Sequence, residues 1–125
     1  MIEGQGSVLV VDDDLDVCEA YAEVLGEAGY EVAIVHNGRE ALTHLERAAR
    51  TPDVILIDLM MPIMDGWQLR RELAERPALK GVPVVVMSAG RKVPEVPAAG
   101  HLQKPVSLEA LLDEVARFCG GERRT

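Results

Sequence analysis

Four short aliphatic runs, each ending in a polar group, constrain this chain most. Val54-Ile55-Leu56-Ile57 ends in Asp58, and Val8-Leu9-Val10-Val11 ends in Asp12-Asp13-Asp14. Val84-Val85-Val86-Met87 ends in Ser88, and a shorter apolar stretch around Leu102 ends in Lys104-Pro105. Unbroken aliphatic runs of this length read as strands buried on both faces. Packing does not call for a carboxylate or an ammonium group where such a strand ends. Open α/β sheets, however, place their chemistry outside the carboxyl ends of their strands.

The segments between the runs have helical spacing. A helix is predicted over about Leu15 to Ala28, with Val17, Tyr21, Val24, Leu25 and Ala28 on one face and Gly29 as a left-handed cap. A strand follows over Glu31 to Val35. Asn37 then caps a helix over about Arg39 to Arg50, with Ala41, Leu42 and Leu45 inward. Pro52 breaks the chain before a strand over Asp53 to Leu59. Asp65-Gly66 makes a turn into a helix over Trp67 to Glu75, which Pro77 ends. Strands over Val82 to Met87 and His101 to Gln103 come next. Ser107 caps a last helix over Leu108 to Cys119, striped by Leu108, Leu111, Leu112, Val115 and Phe118. Five strands alternating with helices argue an α/β fold with a parallel sheet covered on both faces.

Carboxylates gathered from two strand ends repel one another unless a cation joins them. Asp14 is a candidate cap for the first helix, but a cap needs one carboxylate and three stand in a row. A hard divalent ion with oxygen ligands, Mg²⁺, suits Asp12, Asp13 and Asp58. A lysine and a small hydroxyl beside that ion make a cradle for a phosphoryl group. An X-Pro bond takes the cis form at modest cost, and a cis bond at Lys104-Pro105 would turn the lysine inward.

The pieces VLVVDDD, ILIDLMMPIMDG, VVVMSA and HLQKPV stand in that order over nearly the whole chain. The ordered set resembles the receiver domain of two-component response regulators. The resemblance implies a flavodoxin-like, doubly wound, five-stranded parallel sheet. It implies Asp58 as the phosphoacceptor, Asp12 and Asp13 with Asp58 as Mg²⁺ ligands, and Met60 as the donor of a backbone carbonyl to the metal. It makes Ser88 the conformation-sensing hydroxyl and Lys104 the phosphate-binding lysine. His101 falls at the aromatic switch position, usually Tyr or Phe, and is a departure. The implied function is a phosphorylation-controlled switch, not a turnover enzyme. Its phosphodonor would be a histidine kinase or phosphotransfer protein, and its output the binding of a protein target.

At 125 residues the chain fits one domain, with a core over about 7–119 and short tails at 1–6 and 120–125, and it reads as a stand-alone receiver. No apolar stretch approaches the ~20 residues needed to span a bilayer, and no signal peptide is visible, so the expected location is cytoplasmic. The formal net charge of −8 argues against sequence-independent nucleic-acid binding, which needs clustered Lys and Arg. Cys18 and Cys119 have no metal-ligand spacing and read as half-buried structural thiols. His36, His44 and His101 are scattered and suggest no zinc site. Trp67 reads as a partly buried residue at a helix start.

Three other functions fit parts of the pattern. A haloacid-dehalogenase-like phosphatase shares Asp12-x-Asp14, a later Ser and a downstream Lys, but needs carboxylates beyond that lysine. A flavin-binding protein of similar topology would have three aspartates repelling the FMN phosphate. A pseudo-receiver, an interaction module without phosphate control, is kept open by the segment after Ser88. There Pro94 and Pro97 stand within a connection shorter than receivers usually have. Two prolines so placed do not fit inside a short helix. A loop, or at most one helical turn, is therefore expected over Ala89 to Gly100 in place of the usual helix. An order change in that loop is the expected output, with a monomer rather than a dimer through the ordinary face.

Overall fold

The structure is a computed structural model and describes residues 6–61, 63–89 and 98–119. Its elements run β1 (Ser7–Val11), α1 (Leu15–Glu27), β2 (Glu31–Val35), α2 (Gly38–Arg47), β3 (Val54–Asp58), α3 (Gly66–Ala74), β4 (Val84–Ser88), β5 (Gly100–Gln103) and α4 (Leu108–Phe118). The strands form one sheet in the order β2-β1-β3-β4-β5, and every pairing is parallel. This is the parallel sheet that the alternation predicts, in the doubly wound arrangement that the resemblance implies.

The core divides between the two sheet faces because neighbouring residues of a strand point to opposite sides. Leu9, Val11, Ile55, Ile57, Val84 and Val86 pack with Ala41, Leu42 and Leu45 of α2 and Leu69 and Leu73 of α3. Val8, Val10, Val54, Leu56, Val85 and Met87 pack with Cys18, Tyr21 and Leu25 of α1 and Leu111 and Val115 of α4. β3, the middle strand, is buried at all five positions. Each fully buried Leu or Ile there contributes about 1.5–3 kcal/mol of apolar transfer.

Helix ends follow the capping residues. Asp14, Asn37, Asp65 and Ser107 each accept a backbone N–H from the first turn of the helix they precede. Gly29 has φ +99°, the left-handed position that closes α1, and Tyr30 N–H returns to the Leu25 carbonyl. α2 stops at Arg47, three residues before the predicted end, because Ala48 turns to extended backbone at ψ 140°. Along α4 the predicted stripe holds at Leu111 and Val115, while Leu108 is exposed in the first turn. Cys18 and Cys119 are fully buried rather than half-buried. The loop expected over Ala89 to Gly100 falls largely on residues 90–97, outside the described residues. On its described flank, Ala98 packs against the α2/α3 core and Ala99 N–H donates to the Val84 carbonyl.

Candidate functional site

β1 and β3 are neighbours in register, Val11 beside Ile57, so their next residues leave the sheet side by side. Asp12 and Asp58 are both buried, with Asp12 at 0% exposure, while Asp13 faces solvent. One carboxylate oxygen from each of Asp12, Asp13 and Asp58 can be chosen so that all lie within 4.8 Å of one another. Asp14 has a separate task, since its Oδ1 accepts the N–H groups of Asp16 and Val17 and starts α1. The run of three aspartates thus divides into two groups at the carboxylate cluster and one cap.

Lys104 arrives from β5. Its N–H donates to the Ser88 carbonyl, and the Lys104-Pro105 bond is cis. The ammonium lies 3.1 Å from Asp12 Oδ2 and 3.1 Å from Asp58 Oδ2, bridging the two buried carboxylates. The bridge to Asp12 is a feature that sequence reasoning did not anticipate. Burial pulls the lysine pKa down, but its hydrogen bonds to Asp58 and Asp12 outweigh that and leave it raised. Burial pushes the Asp58 carboxyl up from the ordinary range, with a smaller push from the Asp12 charge. The Met60 N–H, which donates to Asp58 Oδ1, and Lys104 oppose that rise without cancelling it. So Asp58 is short of positive charge even with the lysine in place, and a further cation would suit it.

Two more side chains press on this corner from α1. Cys18 Sγ donates to the Asp12 carbonyl at 3.2 Å, and burial, helped by the Asp12 charge, pushes its thiol up to about 11. That thiol stays protonated at neutral pH and is a poor nucleophile. Burial also raises the Tyr21 hydroxyl. On the other side, Ser88 is half-buried at the exit of β4, in register with Gln103. His101 pairs in register with Val86 and is exposed. Met60 is exposed at 67%, beside the carboxylates, and Trp67 is partly exposed at the start of α3 as expected. Leu15, Ile63 and Leu108 are exposed too, each in a loop or first helical turn after a strand exit.

A parallel sheet with clustered carboxylates at two strand exits and a lysine bridging them is now defined. The family model described as the response regulator receiver domain matches residues 8–116. The chain belongs to that family. This receiver is 38% identical over 124 residues to response regulator MprA of Mycobacterium avium (strain 104), covering 94% of this chain and 51% of that protein. The chain therefore spans about half the length of the curated relatives it matches. It is similar to the signal receiver domain of a signal transduction histidine kinase from Syntrophus aciditrophicus, at TM-score 0.83 and 34% identity, covering 96% of this chain and 94% of that one. It also resembles the chemotaxis response regulator CheY4 of Vibrio cholerae, at TM-score 0.80 and 33% identity, covering 90% and 97%. These matches place the receiver among the phosphorylation-controlled switches of two-component signalling, and none favours a phosphatase, a flavin protein or a pseudo-receiver. Among the described residues no helix is long and apolar enough to cross a membrane.

Proposed function

We propose that this receiver takes a phosphoryl group from a histidine kinase or phosphotransfer protein onto Asp58. The observation that carries the reading is the pair of buried carboxylates, Asp12 and Asp58, bridged by Lys104 beside a third carboxylate, Asp13. Asp12, Asp13, Asp58 and the Met60 carbonyl would hold a Mg²⁺ ion, which would supply charge neutralisation for the transferring phosphoryl group. One Asp58 oxygen attacks phosphorus as the donor's P–N bond breaks, and the imidazole leaves with the bond pair. Asp58 Oδ1 already accepts the Met60 N–H at 3.1 Å, which fixes the carboxylate plane and leaves Oδ2 toward Lys104. Lys104, already 3.1 Å from Asp58 Oδ2, donates from that position to a phosphoryl oxygen, a charge-assisted bond. Ser88 at the β4 exit reports the phosphoryl group, and His101 stands at the switch position of β5. Leu15, Met60 and Leu108, exposed in segments that follow β1, β3 and β5, offer apolar contacts to a phosphodonor.

Incubation with acetyl phosphate and Mg²⁺, read by intact mass, tests the assignment. One phosphoryl adduct is expected in the wild type and none in Asp58→Asn, whose amide is a far poorer nucleophile. An adduct that persists in Asp58→Asn overturns the reading.

A further inference from the structure

A hollow beside α2 lies away from the carboxylates. It measures about 730 Å³ and is floored by Val35, Ala48 and Ile63, with Arg39, Thr43 and Arg47 among its walls. That volume lies in the range of real binding sites. A second hollow, along edge strand β2, shares the lining residues His44 and Ala48 with it.

Two guanidinium groups line the first hollow, those of Arg39 and Arg47. Arg76 is paired with Glu72 and Glu46, and Arg117 with Glu114. Among the described residues Arg39 and Arg47, like Arg50, Arg71 and Lys80 elsewhere, have no ion-pair partner, in a chain of net charge −8. Glu40, the acid in the same wall, is engaged: its Oε1 accepts the His36 N–H at 2.9 Å and lies 3.8 Å from His36 Nδ1. An apolar floor between two unpartnered guanidinium groups fits a segment that brings its own carboxylates. Eight residues of helix separate Arg39 from Arg47 by about 12 Å. An extended peptide spans the same distance between carboxylates about four residues apart.

The groove is also tied to the phosphoacceptor. Ile63 lies in the loop that leaves Asp58, and the Gly38 N–H at the start of α2 donates to the carbonyls of Ile63 (3.1 Å) and Met64 (3.2 Å). A side chain at Gly38 would collide with the Met64 carbonyl and side chain. Met64 itself has φ +53°, a conformation that non-glycine residues seldom adopt. The loop is held in one arrangement at two points, by Met60 N–H on Asp58 and by Gly38 on Ile63 and Met64. A change in what Asp58 Oδ1 accepts therefore reaches α2.

We infer that the groove between α2, edge strand β2 and Ile63 docks an extended acidic segment of a partner protein, with a preference set by the state of Asp58. The state dependence rests on Asp58 as phosphoacceptor; the docking does not. The probe is a fluorescein-labelled peptide with the repeat Glu-Leu-Ser-Leu-Glu, titrated by anisotropy against the whole chain. Saturable binding is expected, weakened about tenfold or more in Arg39→Glu/Arg47→Glu and absent for the same peptide with Lys in place of Glu. Equal binding by the double variant, or by the Lys peptide, overturns the docking site. With Mg²⁺ and beryllofluoride the wild-type affinity should change at least about threefold, and Gly38→Ala should abolish that change. If Gly38→Ala does not fold by circular dichroism, Met64→Gly, which removes the side chain packed on Gly38, serves in its place. A wild-type affinity that ignores beryllofluoride overturns the coupling. Intact-mass phosphorylation of the same preparation separates that result from a failure of Asp58 to accept phosphate.

Discussion

At the exits of β1 and β3, two carboxylates are buried and joined by one ammonium at equal distances of 3.1 Å. At the neighbouring exit of β4, beside β5, Ser88 is half-buried, and among the described residues the exposed His101 side chain has no hydrogen-bond or ion-pair partner. The first corner is preorganised and strained by its charges. The second has little built into it. If the first corner receives the phosphoryl group and the second reports it, as proposed, the two tasks place different demands on the chain. Charge must be fixed in advance at the first corner, because a group that reorganises during transfer gives up electrostatic stabilisation. The second corner has only to differ between two states.

Removing Lys104 should break this comparison most visibly. Lys104→Ala leaves Asp12 and Asp58 buried side by side without a counter-charge. Breaking a fully buried pair costs about 3–5 kcal/mol, and the partial exposure of Lys104 lowers that to about 2 kcal/mol. The variant should fold, melt earlier in EDTA and regain much of the loss when Mg²⁺ is added. It should also phosphorylate poorly. Urea titrations with EDTA and with Mg²⁺ decide this, and identical curves for variant and wild type in EDTA would remove the preorganised corner.

Asp58 provides a sharper and smaller test. Its folded pKa is raised, chiefly by burial, so the folded protein holds that proton more tightly than the unfolded chain. The stability linked to it is fully present below the unfolded value of 3.8 and is lost as pH rises through the folded value. Asp58→Asn removes the ionised form. It should stabilise the metal-free protein at pH 7 by about 1 kcal/mol, with the gain disappearing below about pH 4. Melting in EDTA across that range is the measurement. A loss of stability at pH 7 would mean that the Lys104 attraction, not burial, dominates Asp58.

Much of this architecture was legible in the residues. The aliphatic runs specify buried strands without reference to neighbours, and Asn37, Ser107 and Gly29 mark helix ends by local chemistry. Asp12, Asp13, Asp58 and Lys104 were legible because strand exits converge by topology alone. Other features depended on distant contacts. The stop of α2 at Arg47 has no Gly or Pro at that position to announce it. Cys18 was read as half-buried because nothing in the sequence says that its thiol meets the Asp12 carbonyl six residues earlier. The Gly38 clamp joins two loops that are adjacent only because β1 and β3 pair, with β2 on the far side of β1. Glycine at the first position of a helix looks like a weak helix former, not like space for a neighbouring loop.

The smallest expected effect lies at His101. Its ring is exposed on edge strand β5, in register with Val86, and among the described residues it makes no hydrogen bond or ion pair. A surface substitution away from caps, cavities and buried pairs changes stability by no more than about 0.5 kcal/mol. His101→Ala should therefore melt with the wild type at pH 7 and take up phosphate from acetyl phosphate at the same rate, since the carboxylates and Lys104 are untouched. Ser88→Ala, at the strand exit whose carbonyl accepts the Lys104 N–H, leaves that backbone bond intact but removes the hydroxyl. It should slow the conformational response to beryllofluoride, read by Trp67 fluorescence, while His101→Ala should not. If His101→Ala matches Ser88→Ala in that readout, the β4–β5 corner is coupled through the imidazole after all. The contrast with the β1–β3 corner would then be one of charge alone and not of preorganisation.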